Sequence, residues 1–160
     1  MNLEDQGEIA QIDSKNLTIK AHWSLAPCKE PAGLAMDGEN RRLFSACGNK
    51  TMVVTDADSG KIVATLPIGV HPDGAVYDAA NKLAFSSNMD ATLTVIRQVG
   101  KDEYSVLEMV PTEPGARTMA MDMKTHTIYI SSGRFGPKPE GSRFPSVVPE
   151  SFKVLVLRQQ

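Results

Sequence analysis

Apolar and polar residues in this chain alternate in short β-branched runs, each closed by Gly, Pro, Asp or Asn. That texture predicts many short strands joined by turns. No window holds an i, i+3, i+4, i+7 apolar stripe long enough to predict a helix. The runs repeat. Gly33-Leu34-Ala35-Met36-Asp37, Gly74-Ala75-Val76-Tyr77-Asp78 and Thr118-Met119-Ala120-Met121-Asp122 align, with their aspartates 41 and then 44 residues apart. Each is followed by a second strand (Leu43-Phe44-Ser45, Ala84-Phe85-Ser86, Tyr129-Ile130-Ser131), and the first two by a third and a fourth: Met52 to Asp56 then Ile62 to Leu66, and Leu93 to Arg97 then Val106 to Val110. Four short strands in about 40 residues is the period of a propeller blade.

The ends break the pattern. Ile9 to Asp13 aligns with a third strand, and Leu17 to Leu25 aligns without a gap onto a fourth. Phe152 to Leu157 is a third strand with no fourth after it. The expected architecture is therefore all-β, a partial β-propeller of about three four-stranded antiparallel blades with 13 strands. Its units are 1–29 (the outer two strands of a blade), 30–71, 72–115, and 116–160 with a loop insertion over 134–151. A blade buries both faces against its neighbours, so such an arc leaves apolar faces and strand edges in water. The expected partner is a missing propeller half, or a second copy in a homodimer.

Composition narrows the classes. Among 160 residues, 17 are basic and 19 acidic, a net charge of −2, which argues against wholesale neutralisation of nucleic-acid phosphates. No run approaches the roughly 18 apolar residues of a membrane span. Met1 to Gly7 has neither the basic start nor the apolar stretch of a signal peptide, so the chain as written is expected to stay in the cytoplasm.

The stretch from Gly33 through Arg42-Leu43-Phe44 and Met52-Val53-Val54-Thr55-Asp56-Ala57-Asp58-Ser59-Gly60-Lys61-Ile62-Val63-Ala64-Thr65-Leu66-Pro67-Ile68-Gly69 resembles a YVTN-type blade. With Leu25 to Pro31, Gly115 to Asp122 and Lys124-Thr125-His126, the chain is similar to the C-terminal half of bacterial YncE-like YVTN propeller proteins. The resemblance implies a seven-bladed, usually exported ring. Most such proteins have no assigned activity, and some are linked to single-stranded DNA or the cell surface. This chain departs from the pattern in reading Val70-His71-Pro72-Asp73-Gly74 where relatives tend to be glycine-rich.

In a meander blade, the loop leading into strand one and the loop between strands two and three share a face, and function usually sits on such loops. Asp37, Asp78 and Asp122 recur in every unit before the one–two turn and are expected to build Asx turns. Asp56 to Gly60 is expected to be a hairpin and not a calcium loop, because Lys61 and Pro67 stand where such a loop needs glycine and glutamate. The non-repeating polar residues of the first face are the ligand candidates: Lys29, Glu30, Asn49, His71, Asp73, Asn88, Asp90, Arg117 and Arg134. His71 with Asp73 reads either as an acid–base pair or as a solvated loop. Arg117 either holds an anion or makes a structural salt bridge.

One histidine on that face does not make a metal site, and no metal or other cofactor is expected. Cys28 and Cys47, the only cysteines, fall on this same face. A disulfide there would close a loop worth about 3 kcal/mol and would suit an exported protein. Two reduced thiols, or a soft-metal site with His71, are the alternatives. The insertion carries Arg134, Phe135, Lys138, Arg143 and Phe144 among four prolines, a pattern that reads as base stacking, as a grip on an acidic partner, or as a strap across the ring. The leading functional expectation is a non-enzymatic module binding a small anion, a peptide or a surface polymer. The alternatives are a hydrolase or oxidoreductase completed by missing blades, and single-stranded nucleic-acid binding.

Overall fold

The computed structural model describes residues 1–142 and 145–158. In the middle strands, apolar residues on both faces are buried: every residue of Leu83–Asn88 is, and so is Met52 through Thr55. A strand buried on both sides must lie in a sheet sandwiched between two others; the topology shows four sheets, of which the second and third are so placed. The first is β1 (Asn2–Leu3), β2 (Glu8–Asp13) and β3 (Thr18–Ser24). The second is β4 (Pro31–Asp37), β5 (Arg42–Cys47), β6 (Thr51–Asp56) and β7 (Ile62–Pro67). The third is β8 (Pro72–Asp78), β9 (Leu83–Asn88), β10 (Thr92–Gly100) and β11 (Glu103–Pro111). The fourth is β12 (Met119–Asp122), β13 (Thr127–Ser132) and β14 (Lys153–Leu157). Every sheet is an antiparallel meander in chain order.

The described residues thus form 14 strands, one more than the 13 expected. The extra strand, β1, is two residues long, too short to leave a hydrophobic pattern. It is held by a side chain: the Asn2 amide donates to the carbonyls of Ala32 and Gly33, and its oxygen accepts from the Ser45 hydroxyl.

Three apolar layers fill the spaces between successive sheets. Ile9, Leu25 and Cys28 meet Cys47 and Val53 in the first. Phe44, Met52, Val54 and Leu66 meet Tyr77, Ala84 and Ile96 in the second, where the Phe44 ring stacks on Tyr77 (centroids 5.1 Å apart) and meets Tyr104 edge-on. Phe85, Leu93 and Val95 meet Ala116, Ile128 and Ile130 in the third. Consecutive residues of one strand serve opposite layers, Val53 the first and Val54 the second. The innermost strands approach backbone to backbone: a Cβ on Gly33 would lie 2.6 Å from the Ala75 nitrogen.

The Asx turns form at Asp37, Asp78 and Asp122, and also at Asp13 and Asp56. In each, the aspartate accepts from the N–H two residues on at 2.9–3.1 Å, and a side chain three residues on, Asn, Ser or Thr, donates to the same carboxylate. The residue after that is left-handed (Leu17, Arg41, Gly60, Lys82, His126). At both ends of the arc apolar side chains are exposed: Ile12 and Ile19 on the first sheet, Tyr129, Val154 and Val156 on the last. Among the described residues no helix is long and apolar enough to cross a membrane.

Candidate functional site

The loops leading into β4, β8 and β12 lie together with those following β5, β9 and β13, as expected, and hydrogen bonds tie them. Most of the proposed ligand residues prove to make those ties. Asn49 accepts from the Lys29 N–H at 3.0 Å and donates to the Pro27 carbonyl at 2.9 Å. Asp90 accepts from the Val70 N–H and from the Thr92 hydroxyl. Asn88, placed on the ligand face by sequence, is instead fully buried. Its amide donates to the Thr92 and Thr94 hydroxyls and its oxygen accepts from Ser86, which leaves it nothing to offer a ligand. Lys29, Glu30 and His71 are exposed, the last two left-handed just before Pro31 and Pro72.

The acid–base pairing of His71 with Asp73 does not form. Asp73 turns to the next sheet, accepting from Arg117 at 3.0 Å and from the Thr118 hydroxyl at 2.9 Å. Arg117 therefore makes the structural bridge, yet its buried Nε has no hydrogen-bond partner. Cys28 and Cys47 are joined in a disulfide, their Cα atoms 5.4 Å apart, so this state offers no pair of thiolates to a soft metal. Among the described residues no three His, Cys, Asp or Glu side chains gather in a group able to hold a metal ion.

The insertion folds back on itself and does not strap across the molecule. Phe135 bridges to Val147, the Gly136 N–H donates to the Ser146 carbonyl at 2.8 Å, and that of Val148 to the Arg134 carbonyl at 2.9 Å. Ser151 closes the base, accepting from the Arg134 N–H and donating to the Val148 carbonyl. Arg143 and Phe144 lie outside the described residues. The arm leaves two adjoining recesses of about 920 and 280 Å³, which share Gly115, Ser132, Gly133, Phe135 and Phe152. Arg134, Met89 and Lys153 line the larger, Arg117 and Asp73 the smaller. Phe152 is 70% exposed and Phe135 47%, so two aromatic faces stand in water beside cationic groups. Phe152, Met89 and Lys153 were not read as site residues in the sequence. Only the folding-back of the arm brings Phe152 to Phe135.

No family model matches the chain, and no curated protein matches it by sequence. Solved structures do. A chain of Kuenenia stuttgartiensis hydrazine synthase superposes on 96% of this one at 15% identity with a TM-score of 0.73. A chain of a mitotic checkpoint complex superposes on 80% at 13% identity with a TM-score of 0.70. The four sheets are blades of a β-propeller. The superposed part is 44% and 40% of those two chains, so this protein spans less than half the length of either. At such identity the likeness concerns the fold alone.

The opposite face of the arc is built for cohesion between blades. Buried Arg42 donates to Asp56 of its own blade and to Asp102 of the next, at 2.5 and 2.6 Å. Gln98 reaches back to Asp37 and accepts from the Tyr77 hydroxyl, and His126 contacts Asp78. Burial pushes the Tyr104 hydroxyl up to about 12, so it stays a neutral donor, here to the Lys101 carbonyl.

Proposed function

We propose that this protein is a non-enzymatic binding module of the YVTN, YncE-like kind, which takes an acidic peptide carrying an aromatic residue into the recess between its last two blades. The single observation that carries the reading is the pair of adjoining recesses sharing exposed Phe135 and Phe152, with Arg117, Arg134 and Lys153 around them. The larger volume falls in the range of ligand pockets, and stacking between two rings with a carboxylate on a guanidinium is a recurrent way to hold such a group. Arg117 already bridges to Asp73, so Arg134 at the rim of the larger recess is the main cation offered to a carboxylate. Lys153 is already paired with Glu113 and serves less. The disulfide fits an exported protein, as the YncE resemblance implies.

The test is calorimetric titration of the full chain with a peptide alternating glutamate and phenylalanine. Binding that is lost in Arg134→Ala and in Phe152→Ala, with circular dichroism and unfolding unchanged, supports the reading. Equal affinity for a serine-for-phenylalanine peptide, or none for either, overturns it. Tighter binding of oligo-dT than of the peptide, falling steeply with salt, would transfer the site to single-stranded nucleic acid.

A further inference from the structure

The charged residues lining the larger recess are two of each sign: Glu113 and Glu150, Arg134 and Lys153. A recess so balanced attracts an anion weakly until one of its own carboxylates gives way. Glu113 is the carboxylate with a defined hold on a cation there. It grips the Lys153 ammonium, and the two side chains are 41% and 48% exposed.

The backbone fixes where Glu113 stands. Its carbonyl accepts from the Ala116 N–H at 3.0 Å, with Pro114 and a left-handed Gly115 (φ 78°) between them, the make-up of a type II turn. The turn is anchored on both sides. Before it, the Thr112 N–H donates to the Ala91 carbonyl at 2.7 Å, and after it Ala116 is fully buried. Gly115 also presses against the Phe135 ring, which a Cβ there would meet at 2.9 Å. One rigid turn therefore backs an aromatic wall of the recess and presents a carboxylate beside it. An ion pair this exposed contributes little to folding, so breaking it leaves the blades as they are.

Resting on the peptide reading above, we propose that Glu113 is an internal competitor for the ligand's carboxylate: it occupies Lys153 in the empty recess, and an acidic peptide enters by taking its place. The exchange gives the ligand a second cation besides Arg134 and returns the Glu113 carboxylate to water. A neutral or basic peptide has nothing to put on Lys153 in return, so opening the pair costs it an unpaired cation. The recess thereby selects for acidity through the contact that a wrong ligand fails to replace as much as through the contacts a right one makes.

The experiment titrates the same peptide of alternating glutamate and phenylalanine, by calorimetry, into four full-length chains: the parent, Glu113→Gln, Lys153→Met, and the two combined. Glu113→Gln should bind about two- to fivefold more tightly, the worth of an exposed ion pair, and Lys153→Met more weakly than the parent. The gain from Glu113→Gln should vanish when Lys153 is already methionine, because no cation is left to release. A peptide with glutamine for glutamate should gain nothing from Glu113→Gln. All four unfolding midpoints should agree. A gain that survives in full without Lys153 overturns the proposal, since Glu113 would then act by simple repulsion. Binding to the parent that Glu113→Gln leaves unchanged or weakens overturns it too, while the peptide reading stands. Absence of binding to all four chains sinks both.

Discussion

Reducing the Cys28–Cys47 bridge should cost the fold about 3 kcal/mol. The two cysteines are 19 residues apart, and freeing a loop of that length in the unfolded chain is worth this much in the loop-entropy account. A domain of this size is stable by only about 5–15 kcal/mol, so the loss is a large share. Two effects compete in the obvious variant. Cys28→Ala with Cys47→Ala breaks the cross-link and also removes two buried sulfurs from the layer formed with Ile9, Leu25 and Val53. That costs about 1 kcal/mol more for each side chain shortened. Reduction alone keeps the sulfurs in place, because a free thiol packs as a small hydrophobe. Urea unfolding with and without reductant therefore isolates the cross-link. At a slope of about 2 kcal/mol per molar urea the midpoint falls by about 1.5 M on reduction, and further in the double variant. A drop of less than about 1 kcal/mol on reduction would refute the reasoning. It would mean that the β4–β5 hairpin already holds the two cysteines together in the unfolded ensemble.

Two further outcomes follow from the same structure. Gly33→Ala drives a Cβ into the Ala75 backbone, and should cost about 1–3 kcal/mol in urea unfolding. Thr118→Gly, at the equivalent but exposed position of the last blade, should cost clearly less, and equal losses would show that inner-strand contact is not what demands glycine. Acid should unfold the protein in a defined window. The Ser59 hydroxyl and N–H hold the Asp56 carboxyl down to about 2. At Asp37 and Asp78 burial pushes upward, but hydrogen bonds, first from Asn40 and Asn81, outweigh it and leave both below the usual range. Carboxyls depressed in the folded state stabilise it fully above their unfolded value, near 4, and lose that contribution as pH falls toward 2. The urea midpoint should stay level from about pH 7 to 5 and then fall, and a decline beginning near pH 6 would contradict this origin.

Sequence carried the repeat because each blade solves the same local problems with the same residues. The aspartate that opens the one–two turn is needed wherever a left-handed fifth residue reverses the chain, so Asp37, Asp78 and Asp122 were readable as turn builders, and Asp13 and Asp56 obey the same rule. Gly33 and Gly74 stand where the next inner strand presses in, and Thr118 replaces them where none does. Other features left no local trace. β1 depends on Asn2 reaching residues about 30 positions away. Asn88 falls among the ligand candidates because it is a non-repeating polar residue on the loop face, yet Ser86, Thr92 and Thr94 take up its hydrogen bonds inside the arc. Polarity along a strand marks solvent only when no neighbouring side chain can absorb the hydrogen bonds.

The same accounting explains why the recess proposed for binding lies at the edge of the last blade and not among the loops of the middle two. In those blades the loops are short, and their polar side chains are spent on holding them: the disulfide and Asn49 close one, and Asp90 with Asn88 closes the other. A group already engaged must lose one hydrogen bond to make another, so it offers a ligand little net gain. The insertion over 134–151 escapes this constraint. Its two legs satisfy their own backbone through Phe135, Gly136 and Val148, which frees the side chains of Arg134, Phe135 and Phe152 from structural duty. Side chains free of structural duty accordingly collect where the repeat is broken. Shortening the arm to the three-residue turn of its sister blades should abolish the recess while the three apolar layers between blades stay intact.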